Sequence, residues 1–260
     1  MGCESLGLLM SDFRGVEGWK ATASEGASLV EFEDGWDFIL AESGEKYANT
    51  QLDDYRDIKR KYFLNTDNLS LEADICWGDQ DLVGTSGMGF WNDPFLMTGW
   101  RLPSLPVVAW FMMTGRDSNM KVGNENGSGL KAQVISAWSW SFFLRLPLLL
   151  LGLVLGRFLG RNFFLDNFSR GIGLSEKTLS QGQSGWRNFR IDWTESGVEF
   201  FVDQKSVLRH SRPLTGPLGL VIWQDNQWLK FDPRQGVRWG TSKLEGSQTM
   251  KIRNLKLKKS

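Results

Sequence analysis

Residues 186–203 read Trp-Arg-Asn-Phe-Arg-Ile-Asp-Trp-Thr-Glu-Ser-Gly-Val-Glu-Phe-Phe-Val-Asp, and this stretch decides the fold class. Apolar and polar residues alternate over 188–193, and a second apolar run covers 198–202. Alternation of this kind is typical of a half-buried strand rather than of a helix. The residues between the two runs favour a turn. The stretch therefore predicts two consecutive antiparallel strands.

Similar short runs continue on both sides of this stretch. Residues 29–39 alternate around a glycine, which suits a hairpin, and 107–113 form a continuous apolar run of the kind that is buried on both faces of a sheet. Turn residues separate nearly all the runs, and helical periodicity is scarce. The sequence thus predicts an all-β sandwich or barrel of antiparallel sheets, with further strands at 69–75, 88–91, 132–137, 218–223 and 250–257.

Two basic segments near the C-terminus are predicted to lie at the surface. Lys251, Arg253 and Lys256 belong to a last strand in which positive charge recurs every second or third residue, and this pattern is typical of a solvated edge strand. His210 follows Arg209, which predicts a surface histidine with a lowered pKa rather than a general base.

The amino-acid composition narrows the classes of function that this chain can have. The chain has 260 residues, 41% of them hydrophobic, which is enough for one large domain over 1–260. Its 30 Lys and Arg balance 30 Asp and Glu, so no overall charge favours nucleic acid as a partner. One histidine and two cysteines predict no zinc site, and we expect no cofactor. The 13 tryptophans can serve as sugar platforms, membrane anchors or core residues.

One segment, 138–168, departs from the strand pattern and is predicted as an apolar, helical insertion within the domain. Its most apolar part is the 11-residue run 146–156 between Arg145 and Arg157, which is shorter than the roughly 20 residues that span a bilayer. Two interpretations stay open. Either 138–165 lies on a membrane surface, or the insertion packs over a sheet or against a partner chain.

Residues 186–223 resemble the second half of family 16 glycoside hydrolases. That family has a strand Trp-His-x-Tyr-x-(aliphatic)-x-Trp, then a strand (aliphatic)-x-Phe-x-(aliphatic)-Asp-Gly, and then a strand that carries a Trp. Residues 186–193, 198–203 and 218–223 follow this order, and the resemblance covers roughly the last third of the chain. It implies the concanavalin A-like jelly roll, a sandwich of two curved antiparallel sheets whose concave face holds glycan.

The catalytic acids of that family have only a partial counterpart. Family 16 enzymes carry Glu-(aliphatic)-Asp-x-(x)-Glu on one strand, where alternate side chains share a face and the two outer carboxyls lie about 5 Å apart. The best match is 72–76, Glu-Ala-Asp-Ile-Cys, in which Cys76 stands in place of the last acid. The run 107–113, where the motif is expected, has no carboxylate. Glu72 and Asp74 are the candidate catalytic residues; the alternative is an edge-strand pair that faces water.

Residues 84–95 read Gly-Thr-Ser-Gly-Met-Gly-Phe-Trp-Asn-Asp-Pro-Phe. The glycines let a ligand or another backbone approach closely. Trp91 beside Asn92 and Asp93 pairs a stacking surface with hydrogen-bonding groups, as a sugar requires. The alternative is a turn at Asn-Asp-Pro with Trp91 in the core. The predicted ligand site consists of Trp91, Asn92, Asp93, Trp110 and Trp223.

Asp53 and Asp54 form a further acidic pair next to Tyr55. One interpretation is a calcium site like that of legume-type lectins in this superfamily. Two adjacent carboxylates in a loop are more often simply solvated, and we therefore predict no metal.

We expect a domain that binds a carbohydrate or glycolipid in its concave groove and lacks a complete catalytic motif. The alternative is an enzyme, a glycoside hydrolase or another hydrolase or cyclase, that uses the groove with Asp93 or Glu72 as its acid. A structural protein at a membrane is a third interpretation. Residues 1–4 are followed by no apolar run of signal-peptide length, so we expect a cytoplasmic protein, attached peripherally if 138–165 meets lipid.

Overall fold

A computed structural model describes residues 19–42, 44–78, 82–94, 104, 106–119, 127–136, 173–179, 185–232 and 236–259. These residues form 16 strands and one turn of 3-10 helix, Arg60–Tyr62. The strands are β1 Lys20–Ala23, β2 Ala27–Glu31, β3 Gly35–Leu40, β4 Asn49–Asp53, β5 Leu69–Trp77, β6 Thr85–Trp91, β7 Val107–Thr114, β8 Gly129–Ser136, β9 Ser175–Thr178, β10 Arg187–Thr194, β11 Gly197–Val202, β12 Lys205–His210, β13 Gly219–Asp225, β14 Gln227–Asp232, β15 Gly236–Thr241 and β16 Gln248–Lys259.

Two seven-stranded antiparallel sheets make up the sandwich. Sheet 1 has the order β1-β4-β13-β6-β7-β8-β9, and sheet 2 has the order β12-β11-β10-β5-β16-β3-β2. Strands β14 and β15 form a separate two-stranded hairpin, and β14 also makes one bridge to Asn119 at Lys230. The prediction of an all-β sandwich of two antiparallel sheets is confirmed.

The stretch that predicted the fold forms the hairpin β10–β11. Phe189 pairs with Val202 and Thr194 with Gly197, so the strands meet through a short turn. Along β10, Phe189, Ile191 and Trp193 are buried, while the polar residues between them are partly exposed. The alternation in the sequence therefore marks which side chains enter the core.

Aromatic contacts join the two sheets. Phe111 on β7 is fully buried, and its ring lies 5.0 Å from that of Phe189 and 5.1 Å from that of Phe200, both on sheet 2. A second pair, Phe90 and Trp193, meets at 5.4 Å. Each buried aromatic ring removes a large apolar surface from water, so we expect these contacts to be a main attachment between the sheets, together with the aliphatic residues of the same core.

The prediction that the last strand lies at a sheet edge is wrong, and so is the edge position in the alternative interpretation of Glu72 and Asp74. β16 lies between β5 and β3, and β5 lies between β10 and β16, so both are interior strands of sheet 2. The charges on β16 nevertheless face outward, where Lys251 and Arg253 lie 3.4 Å and 3.5 Å from carboxylates of Asp37 and Asp74. The order of strands depends on pairings between distant segments, which the local charge pattern does not reveal.

His210 is buried, not at the surface as predicted. It ends β12 with 4% of its surface exposed, and its Nδ1 lies 2.8 Å from Oγ of Ser175 on β9. This contact joins an edge strand of sheet 2 to an edge strand of sheet 1. Burial, and secondly the charge of Arg212, lower the pKa of His210, so the imidazole is neutral near pH 7.

The apolar segment 138–168 lies outside the described residues. Its helical form, and the contact of 138–165 with a membrane surface, therefore stay predictions. Within the part of the chain that the structure describes, no helix is long and apolar enough to cross a membrane.

Replacing Phe111 by alanine should lower the free energy of unfolding by about 3–5 kcal/mol, because it leaves a cavity between the sheets. Phe32 is 52% exposed and provides the matched control, for which we expect a change below about 1 kcal/mol. Urea denaturation of both variants measures the difference. Equal losses would show that the ring contacts between the sheets are not a main attachment.

Candidate functional site

Strands β13, β6 and β7 lie side by side in sheet 1, and each sends alternate side chains to opposite faces. The inner face belongs to the core between the sheets and includes Ile222, Phe90 and Phe111. The outer face belongs to a second apolar cluster that includes Val221, Trp223, Trp91, Val108, Trp110 and Met112. These three strands therefore carry an apolar cluster on each face of sheet 1.

A cleft of about 450 Å³ opens on the outer face of sheet 1. Sheet 1 and the hairpin β14–β15 both contribute to it. Its described lining combines five tryptophans with amide, hydroxyl and carboxyl groups: Asn49, Gln51, Thr85, Trp91, Trp110, Met112, Val221, Trp223, Asp225, Gln227, Trp228, Leu229 and Trp239.

The tryptophan rings of sheet 1 are held in a row. Trp110 lies 6.1 Å from Trp91 and 5.4 Å from Trp223, measured between ring centroids. Nε1 of Trp223 donates a hydrogen bond to Oγ1 of Thr85 at 3.0 Å. A Cβ atom on Gly87 would lie 2.9 Å from Cη2 of Trp223, so the glycine leaves the space that this ring occupies.

Beyond Trp110 a buried polar chain continues onto β8 and β9. Nε1 of Trp110 donates to Oε1 of Gln133 at 3.0 Å, and Nε2 of Gln133 donates to Oε2 of Glu176 at 3.2 Å. Nζ of the fully buried Lys131 lies 3.6 Å from that same carboxylate oxygen. This chain of hydrogen bonds holds the indole of Trp110 in place.

Asn226 fixes the base of the hairpin β14–β15. Its side chain is fully buried, and its Oδ1 accepts a hydrogen bond from the backbone N–H of Ala48 at 2.9 Å. Its Nδ2 donates to the backbone oxygens of Lys46 and Ser242 at 2.8 Å and 3.0 Å. The side chain satisfies three backbone groups at once, so the hairpin leaves sheet 1 in a defined direction.

Trp239 is the most exposed large apolar side chain of this region. It lies on β15 opposite Leu229, lines the cleft, and has 70% of its surface exposed. Trp228 on the other strand covers Gly240, where a Cβ atom would lie 2.7 Å from the indole. An exposed indole at the border of a tryptophan-lined cleft can stack on a ligand without rearrangement of the core.

Asp225 is the one carboxylic acid among the described residues that line the cleft. Its Oδ1 accepts hydrogen bonds from N and Oγ1 of Thr85 at 3.2 Å and 2.8 Å, and from N of Gln227 at 3.1 Å. Thr85 thus connects Asp225 to the indole of Trp223. Burial raises the pKa of Asp225 to about 7, against the lowering effect of these hydrogen bonds.

The cleft brings together three of the residues predicted from the sequence. Trp91, Trp110 and Trp223 come from three neighbouring strands and all line it. Trp110 and Met112 occupy outward positions on β7, the strand where the family 16 motif was expected. The glycines of β6 lie between the tryptophans of β7 and β13, as the close approach proposed for them requires.

Asn92 and Asp93 are not among the lining residues. The side chain of Asn92 bonds to Oγ of Ser104 and to N of Val107, so it closes the loop before β7. Asp93 is fully buried with a positive φ of 46°. The guanidinium of Arg60 donates to the backbone oxygens of both residues. These contacts match the alternative interpretation of the Asn-Asp-Pro sequence as a turn.

Glu72 and Asp74 lie on β5 in sheet 2, with their side chains on its outer surface. The core of the sandwich separates them from the cleft. Nδ2 of Asn188 donates to both carboxylates at 3.0 Å. Burial pushes the pKa of Asp74 up, but hydrogen bonds from Asn188 and Asn254 and the charge of Arg253 outweigh it and hold the pKa below its usual value. Both carboxylates thus have partners within sheet 2.

Asp53 and Asp54 are buried, not solvated as predicted. Oδ2 of Asp53 accepts a hydrogen bond from Arg56 at 2.9 Å. Asp54 accepts from Nδ2 of Asn65 at 2.6 Å and from N of Leu220 at 2.8 Å. Burial raises the pKa of Asp54 to about 6. The described residues contain no cluster of three potential metal ligands, and the calcium interpretation gains no support from these contacts.

The sequence analysis did not find the contribution of β14–β15 or of Asp225. A signal existed, because Trp228 and Trp239 lie in two runs separated by Asp-Pro-Arg-Gln at 232–235, a sequence that favours a turn. Asp225 had no such signal, since a single acid at a strand end is common.

No family model and no curated protein matches the chain. Among solved structures, it is similar to the exoplasmic/lumenal domain of VIP36 in its Ca²⁺/Man3GlcNAc-bound form, with 10% identity, a TM-score of 0.50, and coverage of 94% of this chain and 84% of that one. A glycosyl hydrolase family protein from Mycobacterium fortuitum matches with 10% identity, a TM-score of 0.45, and coverage of 93% and 91%.

A sialidase also matches, with 10% identity and a TM-score of 0.41. The match covers 94% of this chain but only 17% of the length of the sialidase. The similarity to VIP36 is one of fold, and it agrees with the sandwich of two antiparallel sheets that the sequence predicted.

Replacing Asp225 by asparagine should stabilise the protein at high pH. In the unfolded chain an aspartate ionises near pH 3.8, whereas Asp225 in the folded protein keeps its proton up to about pH 7. The unfolded state therefore binds fewer protons between these values, and the wild-type protein loses stability as the pH rises through this window. The two proteins should be nearly equal at pH 4 and differ by on the order of 4 kcal/mol at pH 8.

Denaturant titrations at several pH values measure this difference. A variant that is less stable than the wild type at pH 8 would show that the buried carboxylate stabilises the fold.

Proposed function

We propose that this protein binds a glycan, free or carried on a lipid, in the cleft on the outer face of sheet 1. The observation that carries the proposal is the collection of five tryptophans around one cleft, with Trp239 exposed at its border. Trp239 has 70% of its surface exposed and therefore offers an indole face that a ligand can cover, and the other four tryptophans line the same cleft.

The chemistry of the lining suits a sugar. A sugar ring has an apolar face of C–H groups that stacks on an indole, and hydroxyls around its edge that need hydrogen-bond partners. Asn49, Gln51 and Gln227 supply amide groups that can both donate and accept. A volume of about 450 Å³ falls within the range of small-molecule sites.

We propose binding rather than hydrolysis, with β7 as the counterpart of the catalytic strand of family 16. Its outward positions carry Val108, Trp110 and Met112, none of which can protonate a leaving group. Retaining hydrolysis needs two carboxyl groups about 5 Å apart, and the described lining contains only Asp225. The fold supports a carbohydrate-related function, because the VIP36 domain, which has a similar fold, is known in a Man3GlcNAc-bound form.

An enzyme remains the alternative, and Asp225 is the observation that favours it. A carboxylic acid whose pKa lies near 7 is suited to general acid or base catalysis at neutral pH. Such a mechanism would use Asp225 rather than Asp93 or Glu72, since only Asp225 lines the cleft.

Replacing Trp239 by alanine should weaken glycan binding several-fold to about tenfold and leave the melting temperature unchanged, because the indole packs little against the core. The measurement is calorimetry against a panel of neutral β-1,3- and β-1,4-linked gluco-oligosaccharides and manno-oligosaccharides, together with uronate oligosaccharides. Trp186→Ala is the matched control. Trp186 is 40% exposed and lies against Arg253 at 4.2 Å, away from the cleft, so its loss should not change binding.

Equal effects of the two alanine variants would contradict the location of the site. Failure of every member of the panel to bind the wild-type protein would contradict glycan binding itself.

Incubation with β-1,3 and mixed-linked glucans should release no reducing sugar. Loss of a general acid alone typically slows such chemistry by about 10²- to 10⁴-fold, and β7 carries no acid. Release that Asp225→Asn abolishes would instead assign an enzyme to the cleft. Release that Glu72→Gln abolishes would assign the chemistry to sheet 2.

A further inference from the structure

Asp225 differs from Asp53 and Asp54, the two buried acids at the end of β4, in how its oxygens are used. Asp53 accepts hydrogen bonds on both carboxylate oxygens, from the backbone and guanidinium of Arg56. Asp54 also accepts on both, from Leu220 and Asn65. The three hydrogen bonds that Asp225 accepts all end on Oδ1. Its Oδ2 takes none from the described residues, although the residue is only 5% exposed and lines the cleft.

A carboxylate oxygen without a partner in such a site is costly when it is charged. The fold could have avoided this cost with an uncharged side chain, because the donors to Oδ1 need only an oxygen acceptor. The arrangement leaves one hydrogen-bonding position in the cleft open for a group that is not part of the protein.

We propose that Oδ2 of Asp225 accepts a hydrogen bond from a hydroxyl group of a neutral sugar, and that binding of this sugar releases a proton from the protein. This inference rests on the proposed glycan-binding function. It adds the class of sugar and the residue that recognises it.

A neutral sugar fits the charges of the cleft better than a uronate or a sulfated sugar. The described lining contains Asp225 but no lysine or arginine, so a second negative charge would meet no opposite charge there. The tryptophans and amides around Asp225 match the C–H faces and hydroxyls that all neutral hexoses share.

We assign the released proton to Asp225, because the side chains that surround this carboxyl group have no titratable group. On β4 the residue opposite is Asn49, on β6 it is Thr85, and the hairpin contributes Gln227.

Charged groups lie farther along the same elements. Asp53 pairs with Val221, four residues along β13, and is held by Arg56 at 2.9 Å. Lys230 lies over the ring of Trp228 at 4.9 Å, and Asp117 accepts a hydrogen bond from Oγ of Ser242 at 2.7 Å.

The direction of the pH effect follows from the hydrogen bond. A hydroxyl that donates to Oδ2 stabilises the ionised carboxylate, so the pKa of Asp225 falls from about 7 when the sugar binds. Near pH 7 the free protein is about half protonated, and binding should release up to about half a proton. Affinity should be highest above pH 7 and fall about five- to tenfold between pH 8 and pH 6.

The experiment is calorimetric titration of the wild-type protein with the tightest neutral oligosaccharide of the panel, at pH 7, in phosphate and in Tris. The two buffers differ in their enthalpy of protonation, so the difference in binding enthalpy gives the number of protons released. Asp225→Asn should bind more weakly at pH 8, release no proton and show no dependence on pH from 6 to 8. Asp192→Asn is the control, because Asp192 bonds to Ser70 on the outer face of sheet 2 and should leave proton release unchanged.

Sugar binding without proton release, or with proton uptake, would overturn the inference while glycan binding stands. So would tighter binding of a matched uronate oligosaccharide at pH 8. If no oligosaccharide binds, the proposed function fails instead. The comparison of the two buffers on the wild-type protein shows whether a proton is released, even if the asparagine variant does not fold.

Discussion

The contact of Phe111 with Phe189 and Phe200 is the constraint on which the rest of the structure depends. It joins the sheets, and it also fixes the orientation of β7. Because neighbouring residues of a strand face opposite sides, a buried Phe111 requires Trp110 and Met112 to face outward. A shift of one residue would move the tryptophan into the core and remove it from the cleft. Core packing and site geometry are therefore set by the same register.

Two features of the cleft work against the stability of the folded protein. Burial raises the pKa of Asp225 to about 7, so its charge destabilises the folded protein at higher pH. Trp239 exposes a large apolar surface on the two-stranded hairpin β14–β15. Both features work against stability, and both lie at the cleft. A local loss of stability of this kind is more typical of binding sites than of surfaces that serve only the fold.

The sequence predicted the elements of the fold better than their arrangement. Alternation marked β10 and β11 correctly, because it follows directly from which side chains are buried. The places of β5 and β16 inside sheet 2 were missed, because strand order depends on pairing between residues far apart in the chain. For the same reason Glu72 and Asp74 could not be assigned to a sheet from their spacing alone.

The site was predictable in part. Trp91, Trp110 and Trp223 were predicted as ligand residues because large aromatic residues on strands stand out in the sequence, and all three line the cleft. Asn92 and Asp93 were included with them, but a turn uses their polar groups within the chain. Asp225 was missed because its environment comes from β4, β6 and β14, which only the fold brings together.

A crystal structure of the protein with its tightest oligosaccharide tests the central claim most directly. The account predicts a sugar in the cleft on the outer face of sheet 1, stacked on a tryptophan, with a hydroxyl within hydrogen-bond distance of Oδ2 of Asp225. A sugar bound on the outer surface of sheet 2, with the cleft of sheet 1 empty, would contradict it.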